Sequence, residues 1–280
     1  YAAKVVGDSG NRCVWISDGI CHCNVCFYQT YLFKKINKQG EKRCGRSFIQ
    51  GIFLMYIVIL ERIKRVKILF SVCLHHRQKE CAYLEGQSGV YVSEPIPAKT
   101  GQLYKYCIYT ANGGRVEHCD PYGFQMELRP GDCSILTDLY SYKFKDEKWM
   151  KNRTVGFDSP VNIYEIHAGS WRKKGEGQTD WYTYIEMMPL SEHPFDGSWG
   201  YQNTGFFAPT ARYGTPDELK KFVDECHQAG IGVIMDFVPV HFAVDYYGLK
   251  EFDGTCLYEY PNAAVGESEW GSCNFMHSRG

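Results

Sequence analysis

No apolar run in this 280-residue sequence is long enough to cross a membrane. The longest, Phe48–Leu60, has thirteen residues, includes Gln50 and Gly51, and is followed at once by Glu61, Arg62, Lys64 and Arg65. A spanning helix needs ~18 or more. The run also begins too late for a secretory signal, and no small-residue cleavage site follows it. Net charge is nearly absent, at −1 with 22% charged residues. That excludes a polyanion binder driven by bulk charge and a solvating acidic tail. The 13 cysteines fall far below the density of a disulfide scaffold. With 44% hydrophobic residues, disorder is excluded as the default state.

What the chain has in quantity is aromatic residues: 21 Tyr, 16 Phe and 6 Trp. These suit stacking surfaces and large cores alike. The averages hide a break. Residues 31–80 carry 12 Lys and Arg against 3 Glu, a net of +9, while the remainder is net −10. Seven of the cysteines crowd into residues 1–81. Cys23 and Cys26 have metal-binding spacing, and His75 and His76 could complete a tetrahedron. The second half-site has no standard spacing, so no metal is expected. Residues 1–81 read instead as a poorly patterned stretch, as an inserted or out-of-frame segment would be. Residues 31–80 are not expected to form a packed domain with the rest.

Residues 82–150 read as a small antiparallel β module. Leu103–Tyr109 is a strand with Tyr104, Tyr106 and Ile108 on one face. Asn112-Gly113-Gly114 is a hairpin signal, and Arg115–His118 is the return strand. Tyr104 and Trp149 could stack on sugar rings, but core packing is the expected role of these aromatics.

Residues 151–280 alternate strand and helix signals. Val161–His167 and Tyr184–Met188 are short strands. Thr215-Pro216-Asp217-Glu218 opens a helix with an N-cap, a proline at the first position and a capping box. Leu219, Phe222, Val223 and Cys226 form its buried stripe, and Gly230 stops it. Ile231–Val238 is a near-continuous apolar strand, of the kind buried on both faces of a parallel sheet. Strand, helix and strand make a parallel α/β sheet, open or closed into a barrel. In a barrel the chemistry sits at the C-terminal ends of the strands. Those ends offer Glu165 and His167, Glu192 and His193, and Asp236 and His241. Glu165 and Glu192 are expected to tie down loops. The long loop Ser191–Gln202 is rich in Trp, Tyr, Asp, Gln and Gly, the mixture that stacks on sugar faces and hydrogen-bonds their hydroxyls.

The stretches Tyr164–Arg172 (YEIHAGSWR), Glu186–Phe242 with SEHPFDGSWGYQ at its heart, and the terminal WGSCNFMHSRG resemble the α-amylase superfamily of glycoside hydrolases. Within it, they are most similar to the 1,4-α-glucan branching enzymes. The resemblance covers roughly 88–280 and implies a partial (β/α)8 barrel of about three strands preceded by a small antiparallel β-sandwich. It implies an α-1,4-glucan substrate, no cofactor, no nucleic-acid or membrane partner, and a cytoplasmic setting. It also implies roles for residues. Asp236 and His241 match sugar-binding positions beside the cleavage point, and Tyr201 matches a tyrosine of the same subsite. Trp199 is a further candidate for substrate binding. The family's nucleophilic Asp and acid/base Glu would lie beyond Gly280, so these 280 residues are expected to lack branching activity alone. The helix expected between the first two barrel strands has no counterpart pattern in Ala168–Thr183. A debranching or trehalose-releasing hydrolase is the alternative within the superfamily, which EHPFDGSWGYQ disfavours. A non-catalytic glucan-binding remnant is the alternative outside it.

Overall fold

The computed structural model describes residues 98–153, 160–171 and 184–277, and the backbone of seven strands between Ile52 and Pro97. The cysteine–histidine group at Cys23, Cys26, His75 and His76 lies outside the described residues, as does most of Ala168–Thr183.

The first strands are β1 (Ile52–Phe53), β2 (Tyr56–Val58), β3 (Lys67–Val72), β4 (Gln78–Cys81), β5 (Tyr83–Leu84), β6 (Val90–Val92) and β7 (Ile96–Pro97). They are followed by β8 (Leu103–Tyr109), β9 (Arg115–His118) and β10 (Ser134–Ile135). Every pairing among them is antiparallel. At the centre, β3 lies between β4 and β8, and both β9 and β10 pair with β8. The turn between β8 and β9 closes through Thr110 N–H to Gly114 O at 3.0 Å, with Gly113 at φ +85°.

The composition break at residue 81 is therefore not a break in the sheet. Lys67–Ser71 pairs residue by residue with Lys105–Tyr109. Parts of the Phe48–Leu60 run do the same, with β1 on β7 and β2 on β6. The segments KILFSV and YIV are β-branched and aromatic, which suits a pleated strand whatever the charge of their neighbours.

β8 is buried on both faces. Tyr104, Tyr106 and Ile108 pack with Phe242, Leu249, Phe252 and Cys273. The main core thus joins the β module to the end of the chain, and residue 150 is not a packing boundary. On the other face Lys105 pairs with Asp132 at 2.5 Å. Tyr104 O–H donates to Asp120 Oδ2 at 2.7 Å. Burial pushes the Asp120 carboxyl up from its usual range, against the hydrogen bonds that favour its charged form. Tyr104 is accordingly core, not a stacking platform.

The second half begins with helix α1 (Glu147–Asn152) and continues with β11 (Ile163–Ile166), β12 (Tyr184–Met187), β13 (Ser191–Glu192) and β14 (Gly205–Pro209). Helix α2 (Pro216–Gln228), β15 (Gly232–Met235), β16 (His241–Phe242), helix α3 (Ala263–Gly266) and β17 (Cys273–Asn274) follow. β12 is the middle of a three-stranded parallel sheet, in register with β11 on one side and β15 on the other. α2 forms the crossover from β12 towards β15. Ile166, Ile185, Met187, Leu190 and Cys226 make the core beneath it, with Leu219 and Phe222 packed against them. β15 is an edge strand among the described residues, so Val233, Ile234 and Met235 are half-buried where the apolar run suggests two-sided burial.

Three side chains lock α2 to the preceding segment. Asp224 accepts from Tyr142 Oη at 2.8 Å and from the Lys145 backbone N–H at 2.9 Å. His227 Nδ1 lies 2.6 Å from Asp146 Oδ2. Trp149 stacks on the His227 ring at 5.2 Å, so this indole too packs internally. Among the described residues no helix is long and apolar enough to cross a membrane.

The cap of α2 closes as a reciprocal box. Glu218 N–H donates to Thr215 Oγ1 at 3.3 Å, and Thr215 N–H donates to Glu218 Oε2 at 2.7 Å. Thr215→Ala removes the first of these and is expected to lower stability by about 1 kcal/mol. A denaturant midpoint equal to that of the parent would show the cap contributes nothing.

Candidate functional site

The polypeptide leaving β12 turns back on itself through β13 and β14, which pair antiparallel. At the centre of this excursion Glu192 is buried. Its carboxylate accepts from Arg212 Nη1 at 2.8 Å, Thr210 Oγ1 at 3.2 Å and the backbone N–H groups of Ala211 and His193 at 2.7 and 3.0 Å. Such a saturated carboxylate holds a loop. Arg212 also donates through Nε to Asp196 at 2.6 Å, and Arg129 grips the same carboxylate at 2.8 and 2.9 Å. The Arg212 hydrogen bond, followed by that of Arg129, holds the Asp196 carboxyl below the usual range.

A short 3-10 turn, Asp196–Ser198, then leads into two residues of positive φ, Trp199 at +53° and Gly200 at +88°. A Cβ on residue 200 would lie 2.3 Å from the Pro189 carbonyl oxygen, so only glycine fits. This turn aims Tyr201 back at the parallel sheet. Its O–H donates to Asp236 Oδ2 at 2.8 Å. Asp236 follows β15 directly, and its N–H donates to the Met187 carbonyl at 2.9 Å. The carboxylate therefore sits at the C-terminal ends of β12 and β15.

His241 joins this pair indirectly. Gln202 Nε2 donates to the Trp270 carbonyl at 3.0 Å. The Trp270 ring, 65% exposed, stacks on the His241 imidazole at 5.7 Å and 30°. His241 Nδ1 lies 2.6 Å from Ser272 Oγ, which is 2.6 Å from Ser268 Oγ. Burial lowers the His241 pKa and favours the neutral ring near pH 7. Trp199 is 55% exposed, with its ring 6.0 Å from that of His167.

Tyr201 and Asp236 are thus in direct contact, His241 is linked to them through Gln202 and Trp270, and Trp199, two residues before Tyr201 in the chain, lies against His167. Glu165 differs: it lies within β11, exposed, opposite Glu186. His167 Nδ1 lies 2.8 Å from Ser170 Oγ, and His193 Nδ1 donates to the Ser191 carbonyl at 2.8 Å. Gln202, Trp270 and Ser272 belong to the arrangement although the residue-by-residue reading passes over them. The only sequence signal for the last two was the terminal WGS, about seventy residues from the loop it meets. Glu127, Asp132 and Cys133 place ligand atoms within 4.8 Å of one another. Asp132 is already engaged by Lys105 at 2.5 Å and Tyr246 Oη at 2.7 Å, so the group reads as an ion-paired tie.

Known proteins fit this geometry. Residues 181–253 match the alpha-amylase catalytic domain family. The fold resembles a putative alpha amylase from Salmonella typhimurium, with a TM-score of 0.58 at 20% identity, covering 82% of this chain and 38% of that one. It also resembles a pullulanase from Paenibacillus barengoltzii solved with maltohexaose and alpha-cyclodextrin, with a TM-score of 0.59 at 16% identity over 82% and 44% of the two chains. The family match falls on β12, the loop after it, α2 and β15.

Sequence narrows this further. The chain is 43% identical over 219 residues to the 1,4-alpha-glucan branching enzyme GlgB of Fusobacterium nucleatum, covering 72% of this chain and 36% of that enzyme. The enzyme of the same name from Oleidesulfovibrio alaskensis is also 43% identical, over 69% and 34%. The chain is a relative of the 1,4-alpha-glucan branching enzymes, and it spans about a third of the length of these curated relatives.

Proposed function

We propose that this chain is the glucan-gripping part of a branching enzyme. Such an enzyme cleaves an α-1,4-glucan and transfers the released chain to a 6-hydroxyl, forming an α-1,6 branch. The observation that carries this reading is the Tyr201–Asp236 hydrogen bond at the C-terminal ends of parallel strands, in a loop that also exposes Trp199 two residues before Tyr201. An ionised carboxylate accepts hydrogen bonds from two adjacent sugar hydroxyls. The Tyr201 donor fixes which way it faces, and an indole supplies an apolar face for the ring. A neutral His241 adds a hydrogen-bond partner without adding charge.

In the proposed reaction an Asp attacks the anomeric carbon while a Glu protonates the departing 4-oxygen, leaving a covalent glycosyl-enzyme. The Glu, now ionised, takes the proton of an incoming 6-hydroxyl as its oxygen displaces the Asp. The resemblance assigns both groups to strands after Gly280, and leaves Asp236, His241, Tyr201 and Trp199 as substrate-binding residues. A partial β/α barrel, an antiparallel sandwich before it, a cytoplasmic setting and the division into 1–81, 82–150 and 151–280 belong to the same proposal. The shared core and the pairing of β3 with β8 join the described residues on either side of positions 81 and 150.

The test is the affinity of the 280-residue chain for maltohexaose. Asp236→Ala is expected to weaken it at least tenfold, about 1.4 kcal/mol, and Tyr201→Phe several-fold through the freed carboxylate. Equal affinity in parent and both variants would overturn the reading.

A further inference from the structure

The loop between α3 and β17 places two serine hydroxyls in line with His241. We propose that Ser268 and Ser272 are positioning residues: they hold the His241 imidazole with its one proton on Nε2, so that the ring meets a glucan as a hydrogen-bond donor. That its partner is a glucan rests on the reading above, and the place of the proton does not.

The loop is closed on itself. Ser268 N–H donates to the Ser272 carbonyl at 2.8 Å, and Gly271 N–H to the Ser268 carbonyl at 3.0 Å, with Gly271 at φ +73°. β16 pairs His241 with Asn274 and Phe242 with Cys273, which brings Ser272, buried at 1% exposure, against the imidazole. Ser272 Oγ lies 2.6 Å from His241 Nδ1 and 2.6 Å from Ser268 Oγ.

The number of available hydrogens fixes the direction of this relay. A serine hydroxyl has one hydrogen to give and two lone pairs to accept with. Ser268 Oγ accepts from the backbone N–H groups of Trp270 and Ser272, each at 3.2 Å. Both lone pairs are then occupied, so Ser268 is the donor in its contact with Ser272. Ser272 accepts that hydrogen and gives its own to His241 Nδ1. A ring nitrogen that accepts carries no proton, and a neutral imidazole then carries it on the other nitrogen. Burial favours the neutral ring. In the reverse order His241 would donate from Nδ1, and Ser268 Oγ would receive three hydrogens. The exposed Trp270 ring, from the same loop, stacks on the imidazole and holds its plane.

The test reads the ring nitrogen signals of His241 in the isotope-labelled 280-residue chain near neutral pH, together with maltohexaose affinity. The parent is expected to show an unprotonated, hydrogen-bonded Nδ1 and a protonated Nε2. A parent ring with its proton on Nδ1, or an even mixture of the two forms, overturns the relay without reference to any variant. Ser268→Ala frees Ser272 to accept from the ring, and should bring in the Nδ1-protonated form as a second species. Ser272→Ala should move the Nδ1 signal to that of an unbonded nitrogen and weaken maltohexaose roughly fivefold, the loss of about one neutral hydrogen bond. Ser272→Thr, which keeps a hydroxyl, should recover most of both. Equal maltohexaose affinity in the parent and Ser272→Ala would overturn the positioning role and leave the grip at Asp236 standing. If the parent binds no maltohexaose, the glucan reading fails and the donor role with it, while the nitrogen signals still decide where the proton lies.

Discussion

Glu192→Ala is expected to remove about 3–5 kcal/mol of stability, the cost of leaving a buried charge without its partner. Arg212 donates to this carboxylate from a largely buried position, and two backbone N–H groups and the Thr210 hydroxyl depend on it as well. Deleting the carboxylate strands the two backbone N–H groups in a place water reaches poorly, and leaves Arg212 with Asp196 as its one ion-pair partner among the described residues. Glu192→Gln should cost less, since an amide oxygen still accepts from Ala211 and His193. A denaturant midpoint for Glu192→Ala within 1 kcal/mol of the parent would show that the loop is held by other means.

Gly200→Ala is expected to undo the grip on Asp236. The residue has φ +88°, a conformation that costs an L side chain about 1–3 kcal/mol. The added Cβ would also sit 2.3 Å from the Pro189 carbonyl oxygen, a backbone atom that cannot step aside without moving the end of β12. Relief comes by shifting the turn, and with it Tyr201. Gly113→Ala is the control. Its φ is +85°, but a Cβ there meets nothing within 4 Å, so it should show conformational strain alone, about 1 kcal/mol. If both variants bind maltohexaose like the parent, the tight approach at residue 200 does not position the tyrosine.

The parts of this fold that were legible in the sequence are those specified locally. Thr215, Pro216 and Glu218 announce the start of α2 by their own chemistry, and Gly230 ends it at φ +81°. The apolar runs of β11, β12 and β15 read as strands, although the edge position of β15 does not show in its composition. The β8–β9 hairpin follows from its turn residues. Pairings across long separations were not legible. Nothing in KILFSV names Leu103–Tyr109 as its partner, and the charge bias around it pointed elsewhere. Nor does Ile108 reveal that its core lies with Phe242 and Phe252. At the site, pattern placed Asp236 at the end of a strand, and resemblance to a family added Tyr201 and the sugar-binding roles. Pattern alone put Glu165 at the rim, although it faces outward within its strand. Glu192 read correctly as a loop tie because carboxylates beside a turn commonly find backbone donors. Trp270 stayed silent because its contact with His241 is made only once β16 and β17 pair.

The grip on an α-linked glucan is tested most directly by titrating the isotope-labelled 280-residue chain with maltohexaose and, separately, with cellohexaose, its β-linked counterpart. The expected result is a set of saturable shifts at Trp199, Tyr201, Asp236 and Trp270 with maltohexaose, and none there with cellohexaose. Shifts confined to other parts of the chain, or equal responses to the two sugars, would contradict it.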